Sequence, residues 1–326
     1  MKVIDIINSR KGKPFASFEI VPPLKGSDAS KLYGSIRPLM EFAPPFINFT
    51  AHRDEVDYRQ NSDGSFTKVV VTKRPSTLAI AASISKEFQN VEIVPHVICG
   101  GATADQNESL LLDLHFLGIQ NVMALRGDAE KGAKYFSPTP GGHSHSSELV
   151  RQICRMNEGI YLDGNMKNPV STDFCIGVGA YPEKHIEAPN LSEDIKRLKE
   201  KVDEGASYVI TQMFFDNGRF FDFEKQCRAA GITVPIIPGL KPVSTLKQID
   251  TLPQAFAIDF PAEFVKETNK IRKMDDAQKI SSALYEFGVE WCVNQCKELL
   301  ANGAPAIHFY TMGKADNIRA IVSKVF

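Results

Sequence analysis

The stretch that decides the fold is Ser17-Phe18-Glu19-Ile20-Val21-Pro22-Pro23, an apolar strand with one carboxylate inside it and two prolines at its end. Burying a glutamate costs free energy unless its pKa rises and it keeps a proton near neutral pH. Glu19 is therefore a candidate general acid. The alternative is a glutamate at a strand end that pairs with a lysine, and this strand by itself leaves both interpretations open.

Working outward from this strand, apolar runs and helical patterns alternate along the whole chain. The further strands are predicted at residues 46–50, 91–99, 121–125, 174–181, 208–212, 235–240 and 306–311. Helical patterns lie between them, including a long one at residues 276–301. Eight strands that alternate with helices require parallel pairing and right-handed crossovers. This order and the length of 326 residues predict an α/β fold, a (β/α)8 TIM barrel that forms a single domain over residues 1–326.

Two segments are predicted to be irregular. Residues 52–64, which follow the second strand, are interpreted as a long loop, and residues 253–273 as an irregular stretch with aromatic side chains. Loops of this length in a compact domain are usually functional or disordered.

The composition limits the kinds of partner. Lysine plus arginine (38) nearly balances aspartate plus glutamate (39), so no basic surplus favours nucleic acid or an anionic membrane. The N-terminus has charges where a signal peptide needs an apolar core, and no run of eighteen apolar residues occurs. We expect a cytoplasmic protein that binds small molecules. Its six cysteines are scattered through apolar segments, which favours reduced thiols, and no spacing indicates a metal site.

In a TIM barrel the site is built where the strands end. The side chains expected there are Glu19, Thr50, His96, Asp128, Tyr181, Gln212 and Thr311. This set contains no nucleophile with an adjacent base and no metal-ligand triad, which makes an organic cofactor the better hypothesis. The three-glycine dinucleotide fingerprint is also missing, so a Rossmann site is excluded.

Three local patterns refine this site. Gly177 and Gly179, inside one strand, predict the close approach of a flat group. Asp194 and Lys201 lie two turns apart on one side of a charged helix, where a polar ligand fits. Gln212 both donates and accepts hydrogen bonds, which suits the amide edge of a heterocycle.

Taken together, the chain resembles the methylenetetrahydrofolate reductases. The motifs that carry the resemblance run in order from one end of the chain to the other: Phe18-Glu19-Ile20-Val21-Pro22-Pro23, Pro95-His96, Ala124-Leu125-Arg126-Gly127-Asp128, Ala180-Tyr181-Pro182-Glu183-Lys184-His185, Ile210-Thr211-Gln212-Met213-Phe214-Phe215-Asp216, Ile236-Ile237-Pro238-Gly239 and His308-Phe309-Tyr310-Thr311. The chain ends soon after the last strand, so it looks like the bacterial type without a regulatory extension, and we expect a homo-oligomer.

The resemblance implies noncovalent FAD and a ping-pong reaction that supplies methyl groups for methionine synthesis. NADH or NADPH would reduce the flavin and leave, and 5,10-methylenetetrahydrofolate would then be reduced to 5-methyltetrahydrofolate in the same place. It also implies that Glu19 protonates N10 of the folate, that Asp128 holds the pterin and stabilises the developing cation, and that Gln212 binds both pterin and nicotinamide.

The resemblance further implies two groups of binding residues. The positions that match flavin contacts are Thr50, His96, Arg126, Gly127, Asp128, Tyr181, His185, Asp194 and Lys201. Gln248, Leu252 and Lys314 match substrate-binding positions, although Leu252 replaces an aromatic residue and Lys314 an arginine of some relatives. We therefore expect that Leu252 does not stack on the substrate as an aromatic residue would. We also expect that Lys314 does not form the paired hydrogen bonds that an arginine would make with the glutamate tail of the folate. Arg197 and Glu200 also differ from some relatives, which have asparagine and arginine between the positions of Asp194 and Lys201. The resemblance implies that this part of the helix lies near the FAD diphosphate.

Three other functions remain open. One is a different flavin-dependent barrel that oxidises another amine, similar to a proline dehydrogenase, which would need a cationic pair for a substrate carboxylate. Another is a folate- or flavin-binding protein that has lost catalysis, and the third is a barrel with unrelated chemistry. Glu19 argues against the binding protein, because binding alone does not need a desolvated acid.

Overall fold

The computed structural model describes residues 1–313 and 315–326. In this part of the chain the strands are β1 (Phe15–Ile20), β2 (Phe46–Phe49), β3 (Glu55–Gln60), β4 (Phe66–Val71), β5 (Glu92–Ile98), β6 (Asn121–Leu125), β7 (Cys175–Ala180), β8 (Tyr208–Met213), β9 (Ile236–Leu240) and β10 (Ala306–Tyr310). All except β3 and β4 form a closed parallel barrel in the order β1-β10-β9-β8-β7-β6-β5-β2. The predicted (β/α)8 TIM barrel is confirmed.

Helices surround the barrel. In the described residues they are α1 (Val3–Ser9), α2 (Ala29–Ile36), α3 (Thr77–Glu87), α4 (Ala104–Phe116), α5 (Ser146–Asn157), α6 (Leu191–Asp203), α7 (Asn217–Ala229), α8 (Leu246–Phe256), α9 (Ala262–Arg272), α10 (Ala277–Ala301) and α11 (Asp316–Val325), with a 3-10 helix at Arg37–Phe42. Sequence analysis did not predict α1 or α7. The six free cysteines lie in these elements and the loops between them, and five of the six are buried.

Helix α1 packs against one end of the barrel interior. Its buried side chains Val3, Ile6 and Ile7 join a cluster that includes Phe15 and Tyr208 from the strands. Asn121 fixes the start of the helix, because its Oδ1 accepts a hydrogen bond from the Val3 backbone N–H at 2.8 Å. The amino-terminal ends of the strands are thereby covered with apolar groups, and the opposite ends are left for polar ones.

Strand alternation places Glu19 inside the barrel. Successive strand side chains point to opposite faces, and Phe18 and Ile20 join the large cluster that packs against the helices. The residue between them therefore faces inward. In the parallel register Glu19 pairs with Tyr310 on β10 and with Asn48 on β2.

The prediction of a loop at residues 52–64 is wrong. Strands β3 and β4 form an antiparallel hairpin, in which Glu55 pairs with Val71 and Gln60 with Phe66. Residues 66–71 are rich in β-branched side chains, and the turn before them contains Asp63-Gly64, a combination typical of hairpins. The charged residues at 52–55 hid this pattern.

The prediction of an irregular stretch at residues 253–273 is also wrong. Helix α8 continues through Pro253 to Phe256, and α9 occupies Ala262–Arg272. Helix α9 buries Phe264, Thr268 and Ile271, which are spaced at helical intervals on one face. A proline inside a helix removes one backbone hydrogen bond, but here the following turn still closes with a bond from Ala257 N–H to the Pro253 carbonyl.

Candidate active site

Glu19 lies at the end of β1 with 13% of its side chain exposed, and its ionisable neighbour is His96 on β5. Glu19 Oε2 and His96 Nε2 are 3.6 Å apart. Burial raises the pKa of Glu19 to about 8. Burial also lowers the pKa of His96 to about 3, and repulsion from His52 acts in the same direction. The carboxyl group therefore holds the proton at neutral pH and the imidazole is uncharged.

A layer of buried polar side chains lies beside Glu19. Asn48 Nδ2 is 3.5 Å from His96 Nε2, and Ser17 Oγ is 2.9 Å from His308 Nδ1. Burial, followed by repulsion from His96, lowers the pKa of His308 to about 3. The two imidazoles of this layer are therefore uncharged at neutral pH and do not counteract the effect of burial on Glu19.

Hydrogen bonds across the barrel hold the strand ends in place. Thr311 Oγ1 donates to the Glu19 carbonyl at 2.7 Å, and Tyr310 OH donates to the Thr211 carbonyl at 2.7 Å. Burial raises the pKa of Tyr310 well above its ordinary value, and the charges of Glu19 and Tyr181 add to this effect. Tyr310 therefore lies between the Glu19 side of the site and the Tyr181 side.

Thr50 follows β2 on the Glu19 side. Its Oγ1 is 2.9 Å from His52 Nε2, and burial is the main cause that lowers the pKa of His52. Arg74 adds to this decrease, and Asp128 opposes it. The effect of Asp128 on His52 indicates that the exposed Asp128 carboxylate, which follows β6, lies on the side of the site towards the end of β2.

The Arg126-Gly127-Asp128 turn follows β6 directly. Arg126 makes a bidentate ion pair with Glu187 at 2.7 and 2.9 Å and lies over the Phe136 ring at 4.7 Å. Gly127 has φ of +83°, a conformation that side chains disfavour, and Ile98 lies 3.4 Å from where a Cβ atom would be. Residue 127 is therefore glycine because of its positive φ and its close packing against Ile98.

Four further predicted residues gather around the end of β7. The rings of Tyr181 and His185 meet edge to face at 4.7 Å, and Asp194 Oδ2 accepts a hydrogen bond from the His185 N–H at 2.7 Å. Lys201 Nζ donates to the Gly179 carbonyl at 2.7 Å. Burial lowers the pKa of Lys201 to about 8; attraction to Asp194 opposes this change and repulsion from Arg126 adds to it. Asp194 and Lys201 therefore both point from α6 towards the end of β7, as their spacing on the helix predicts.

The predicted substrate-binding residues have mixed environments. Gln212 is the last but one residue of β8, and its Oε1 accepts a hydrogen bond from the Met213 N–H at 2.9 Å. Gln248 Oε1 accepts from the Ser244 N–H at 2.8 Å and caps α8, while Leu252 is buried in an apolar cluster that contains Met213 and Phe215. Lys314 lies outside the described residues. The roles of these four residues in binding substrate stay predictions.

One of the two glycines in β7 has a flat neighbour within the protein. A Cβ atom on Gly177 would lie 2.5 Å from Tyr208 Cζ and 2.8 Å from Met123 Sδ, whereas one on Gly179 would meet only Leu125 at 3.2 Å. The flat group that approaches Gly177 is thus the ring of Tyr208, inside the barrel. Gly177 is a packing requirement rather than a binding site.

The sequence profile described as methylenetetrahydrofolate reductase matches residues 2–325. The chain belongs to this family. The 5,10-methylenetetrahydrofolate reductase of Escherichia coli is 31% identical over 311 residues, which cover 95% of this chain and 90% of that protein. Methylenetetrahydrofolate reductase 1 of Schizosaccharomyces pombe is 28% identical over 315 residues, which cover 97% of this chain and 46% of that protein.

The chain spans about half the length of several relatives in the methylenetetrahydrofolate reductase family. Relatives from Arabidopsis thaliana and Caenorhabditis elegans are named for NADH and for NADPH, respectively. A solved structure from Clostridium thermocellum, described as an uncharacterized protein that binds two copies of 5-methyl-5,6,7,8-tetrahydrofolic acid, matches with a TM-score of 0.54. At 15% identity over 98% of this chain and 96% of that one, it supports the fold alone.

In this member of the methylenetetrahydrofolate reductase family, sequence analysis missed three polar residues of the site region. Asn48 faces His96, Tyr310 lies between Glu19 and Tyr181, and burial raises the pKa of Glu183 to about 7. Glu183 Oε2 accepts a hydrogen bond from the Asp259 N–H at 3.0 Å. Asn48 lies two positions before Thr50, and alternate residues of a strand point to the same side. This spacing from a polar residue at the strand end is the signal that would have identified Asn48.

The described residues contain neither a candidate membrane-spanning helix nor a candidate metal-binding cluster. No helix there is both long enough and apolar enough to cross a membrane. No group of three or more histidine, cysteine, aspartate or glutamate side chains in that part of the chain is arranged to hold a metal ion.

Proposed function

We propose that this chain reduces 5,10-methylenetetrahydrofolate to 5-methyltetrahydrofolate with NADH or NADPH and FAD. The observation that carries the proposal is Glu19, a buried carboxyl group whose pKa of about 8 keeps it protonated at the end of a barrel strand. Family membership supports the reaction. The product would supply methyl groups for methionine synthesis.

The residues around β6 and β7 fit FAD. Arg126 follows β6, Lys201 reaches the Gly179 carbonyl on the neighbouring strand β7, and their positive charges repel each other. An anion between these two cations, such as the FAD diphosphate, would be stabilised by both and would remove their mutual repulsion. Glu187 accepts hydrogen bonds from both terminal nitrogens of Arg126. The FAD diphosphate would therefore compete with the Glu187 carboxylate for the Arg126 guanidinium. Arg197 and Glu200 are exposed on α6, and their effect on FAD affinity stays a prediction.

Bound FAD would supply the hydride chemistry, since a flavin accepts a hydride from a nicotinamide and passes it to an electrophilic carbon. Glu19 would supply the proton. Transfer of its proton to N10 of the folate opens the imidazolidine ring and leaves a cation at the carbon that receives the hydride. A carboxyl group with a pKa near the working pH is suited to this transfer.

Asp128 and Gln212 would bind and orient the pterin. The exposed Asp128 carboxylate would stabilise the positive charge that develops as the ring opens. Gln212, at the end of β8, would hydrogen-bond the amide edge of the pterin and, at another stage, of the nicotinamide. One glutamine that both donates and accepts can serve two substrates in turn.

The proposal is tested by product analysis on the purified protein. We expect bound FAD in the absorbance spectrum and, under anaerobic conditions with methylenetetrahydrofolate and NADH or NADPH, formation of 5-methyltetrahydrofolate measured by liquid chromatography. Lys201→Met should weaken FAD binding at least about tenfold, because it removes a charge-assisted contact. The matched control is Lys196→Met on the exposed side of the same helix, which should bind FAD normally.

Two results would contradict the proposal. Failure to bind FAD would exclude the flavin enzyme, and bound FAD without methyltetrahydrofolate formation with either nucleotide would favour another flavin-dependent barrel or a binding protein.

A further inference from the structure

The β3–β4 hairpin presents an apolar stripe to solvent. Tyr58, Phe66 and Val70 share one face of it, because the even-numbered residues of this register point to the same side. They are 62%, 63% and 64% exposed, respectively. In the part of the chain that the structure describes, β3 and β4 pair only with each other. A sheet of two strands is marginally stable in water, so further strands beside the hairpin would stabilise it.

The outer edge of β3 has backbone groups available for another strand. The Asn61 N–H donates to the Ser65 carbonyl at 2.8 Å, so the pair that closes the hairpin is a hydrogen-bonded one. Hydrogen-bonded and non-hydrogen-bonded pairs alternate along an antiparallel ladder, which points the backbone groups of Tyr58 away from β4. The Tyr58 N–H accordingly donates to the Asp57 side chain at 3.0 Å. An unpaired edge of this kind is a template for strand pairing.

The charges of β3 indicate which strand fits beside it. Asp57 and Arg59 flank Tyr58 and are exposed. Within the hairpin they pair with the uncharged residues Val69 and Thr67. A second copy of β3 that runs antiparallel and is centred on Tyr58 would place each Asp57 opposite the Arg59 of the other copy. Opposite charges that face each other across two strands stabilise a sheet, so the segment is complementary to itself.

The same charges disfavour the neighbouring registers. Centring the pairing on Asp57 would bring two carboxylates together, and centring it on Arg59 would bring two guanidinium groups together. Like charges directly opposite each other destabilise a sheet. The register centred on Asp57 would also bring Glu55 towards Arg59 of the other copy, but Glu55 Oε2 is 3.5 Å from Lys131 Nζ in its own chain. Of these three registers, only the one centred on Tyr58 has no like charges directly opposite each other.

We propose that the hairpin is a dimerisation surface, at which the outer edge of β3 pairs antiparallel with β3 of a second copy of this chain. Each Tyr58 N–H then donates to the Tyr58 carbonyl of the other copy, which frees the Asp57 carboxylate for its ion pair. The two hairpins form one four-stranded sheet, and their apolar stripes meet at the two Tyr58 rings. This inference does not depend on the proposed function.

The test is sedimentation velocity of the purified full chain over a series of concentrations, from which we expect a monomer–dimer equilibrium. Asp57→Arg should weaken association at least about tenfold, because two pairs of like charges replace two ion pairs. Asp57→Arg combined with Arg59→Asp exchanges the charges and should restore the dissociation constant to within about threefold. The matched control is Asp222→Arg, the same substitution at an exposed position of α7, which should leave association unchanged.

Cross-linking measures the proximity of the two strands directly. In Tyr58→Cys the two thiols lie opposite each other across the proposed axis, so a short bifunctional maleimide should link the two chains. Thr67→Cys is the matched control, because three strand spacings, about 14 Å, would separate the two β4 strands, and the reagent is chosen to be shorter than this distance. Five of the six native cysteines are buried, and the unsubstituted chain measures the background.

A monomer at every concentration would overturn the proposal and leave the apolar stripe to the active site of the same chain or to another protein. A dimer that Asp57→Arg does not weaken, or that the charge exchange does not restore, would also overturn it. If circular dichroism shows that Asp57→Arg does not fold, cross-linking carries the test. Equal yields of linked chains from Tyr58→Cys and Thr67→Cys would then contradict the proposal.

Discussion

Glu19 is acidic at neutral pH because of what surrounds it rather than because of a single partner. The nearby imidazoles are neutral, and burial makes the ionised carboxylate the costly form. The free energy of folding reflects the same effect. Because the folded state binds this proton more tightly than the unfolded state, the contribution of Glu19 to stability is present below about pH 4.5 and is lost as the pH rises to about 8.

The same pKa predicts how the reaction depends on pH. The folate half-reaction needs protonated Glu19, so its rate should be level below about pH 8 and fall about tenfold for each pH unit above it. Reoxidation of reduced FAD by methylenetetrahydrofolate, followed in rapid-mixing experiments across this range, measures the profile.

Lys201 loses its proton in the same range, so a control must separate the two groups. Lys201→Arg keeps its cation at these pH values. Persistence of the decline near pH 8 in this variant would assign it to Glu19, and its disappearance would assign it to Lys201 instead.

At the residue scale, the sequence identifies polar side chains that interrupt an apolar strand near its end. Glu19 and His96 are recognisable in this way, and the structure places them side by side. Asn48 and Tyr310 are not, because their importance comes from what faces them across the barrel. Strand pairing between distant segments determines those contacts, and a local pattern does not contain that information.

At the scale of single elements, β7 shows how a glycine can serve packing in the middle of a site. Gly177→Ala should lower the free energy of unfolding by about 1–3 kcal/mol, because its Cβ atom would overlap the Tyr208 ring and Met123. Urea denaturation followed by circular dichroism measures this loss.

The matched control lies two residues further along the same strand. Gly179→Ala introduces a contact of 3.2 Å with Leu125 alone, so its destabilisation should be smaller. Equal effects of the two substitutions would show that strand backbone entropy, rather than contact with Tyr208, determines the requirement for glycine.

Among the elements, the buried barrel strands were predictable, whereas the exposed hairpin and the proline-containing helix were not. The barrel strands carry apolar runs that end in polar residues, whereas the β3–β4 hairpin is mostly exposed and has no buried stripe. Helix α8 contains Pro253, which normally indicates a helix end, but tertiary packing of Leu252 outweighs that preference.

At the scale of the whole molecule, closure of the barrel assembles the site. Glu19, His96, Asp128, Lys201 and Tyr310 are far apart in sequence but all lie at the ends of barrel strands or on the adjoining helix. The alternation of strands and helices predicts this convergence, because parallel strands in a barrel end on the same side. It does not predict distances, which depend on strand register and on side-chain packing inside the barrel.

The most direct test of the central claim, that Glu19 is the proton donor of a flavin-dependent folate reductase, compares the two half-reactions in Glu19→Gln. We predict that NADH or NADPH bleaches the flavin almost as in the unmodified protein, whereas reoxidation by methylenetetrahydrofolate slows at least about 100-fold. Glu108→Gln, a change at a buried glutamate on α4, should leave both half-reactions intact. Reoxidation of Glu19→Gln by the folate at a rate comparable to that of the unmodified protein would contradict the account.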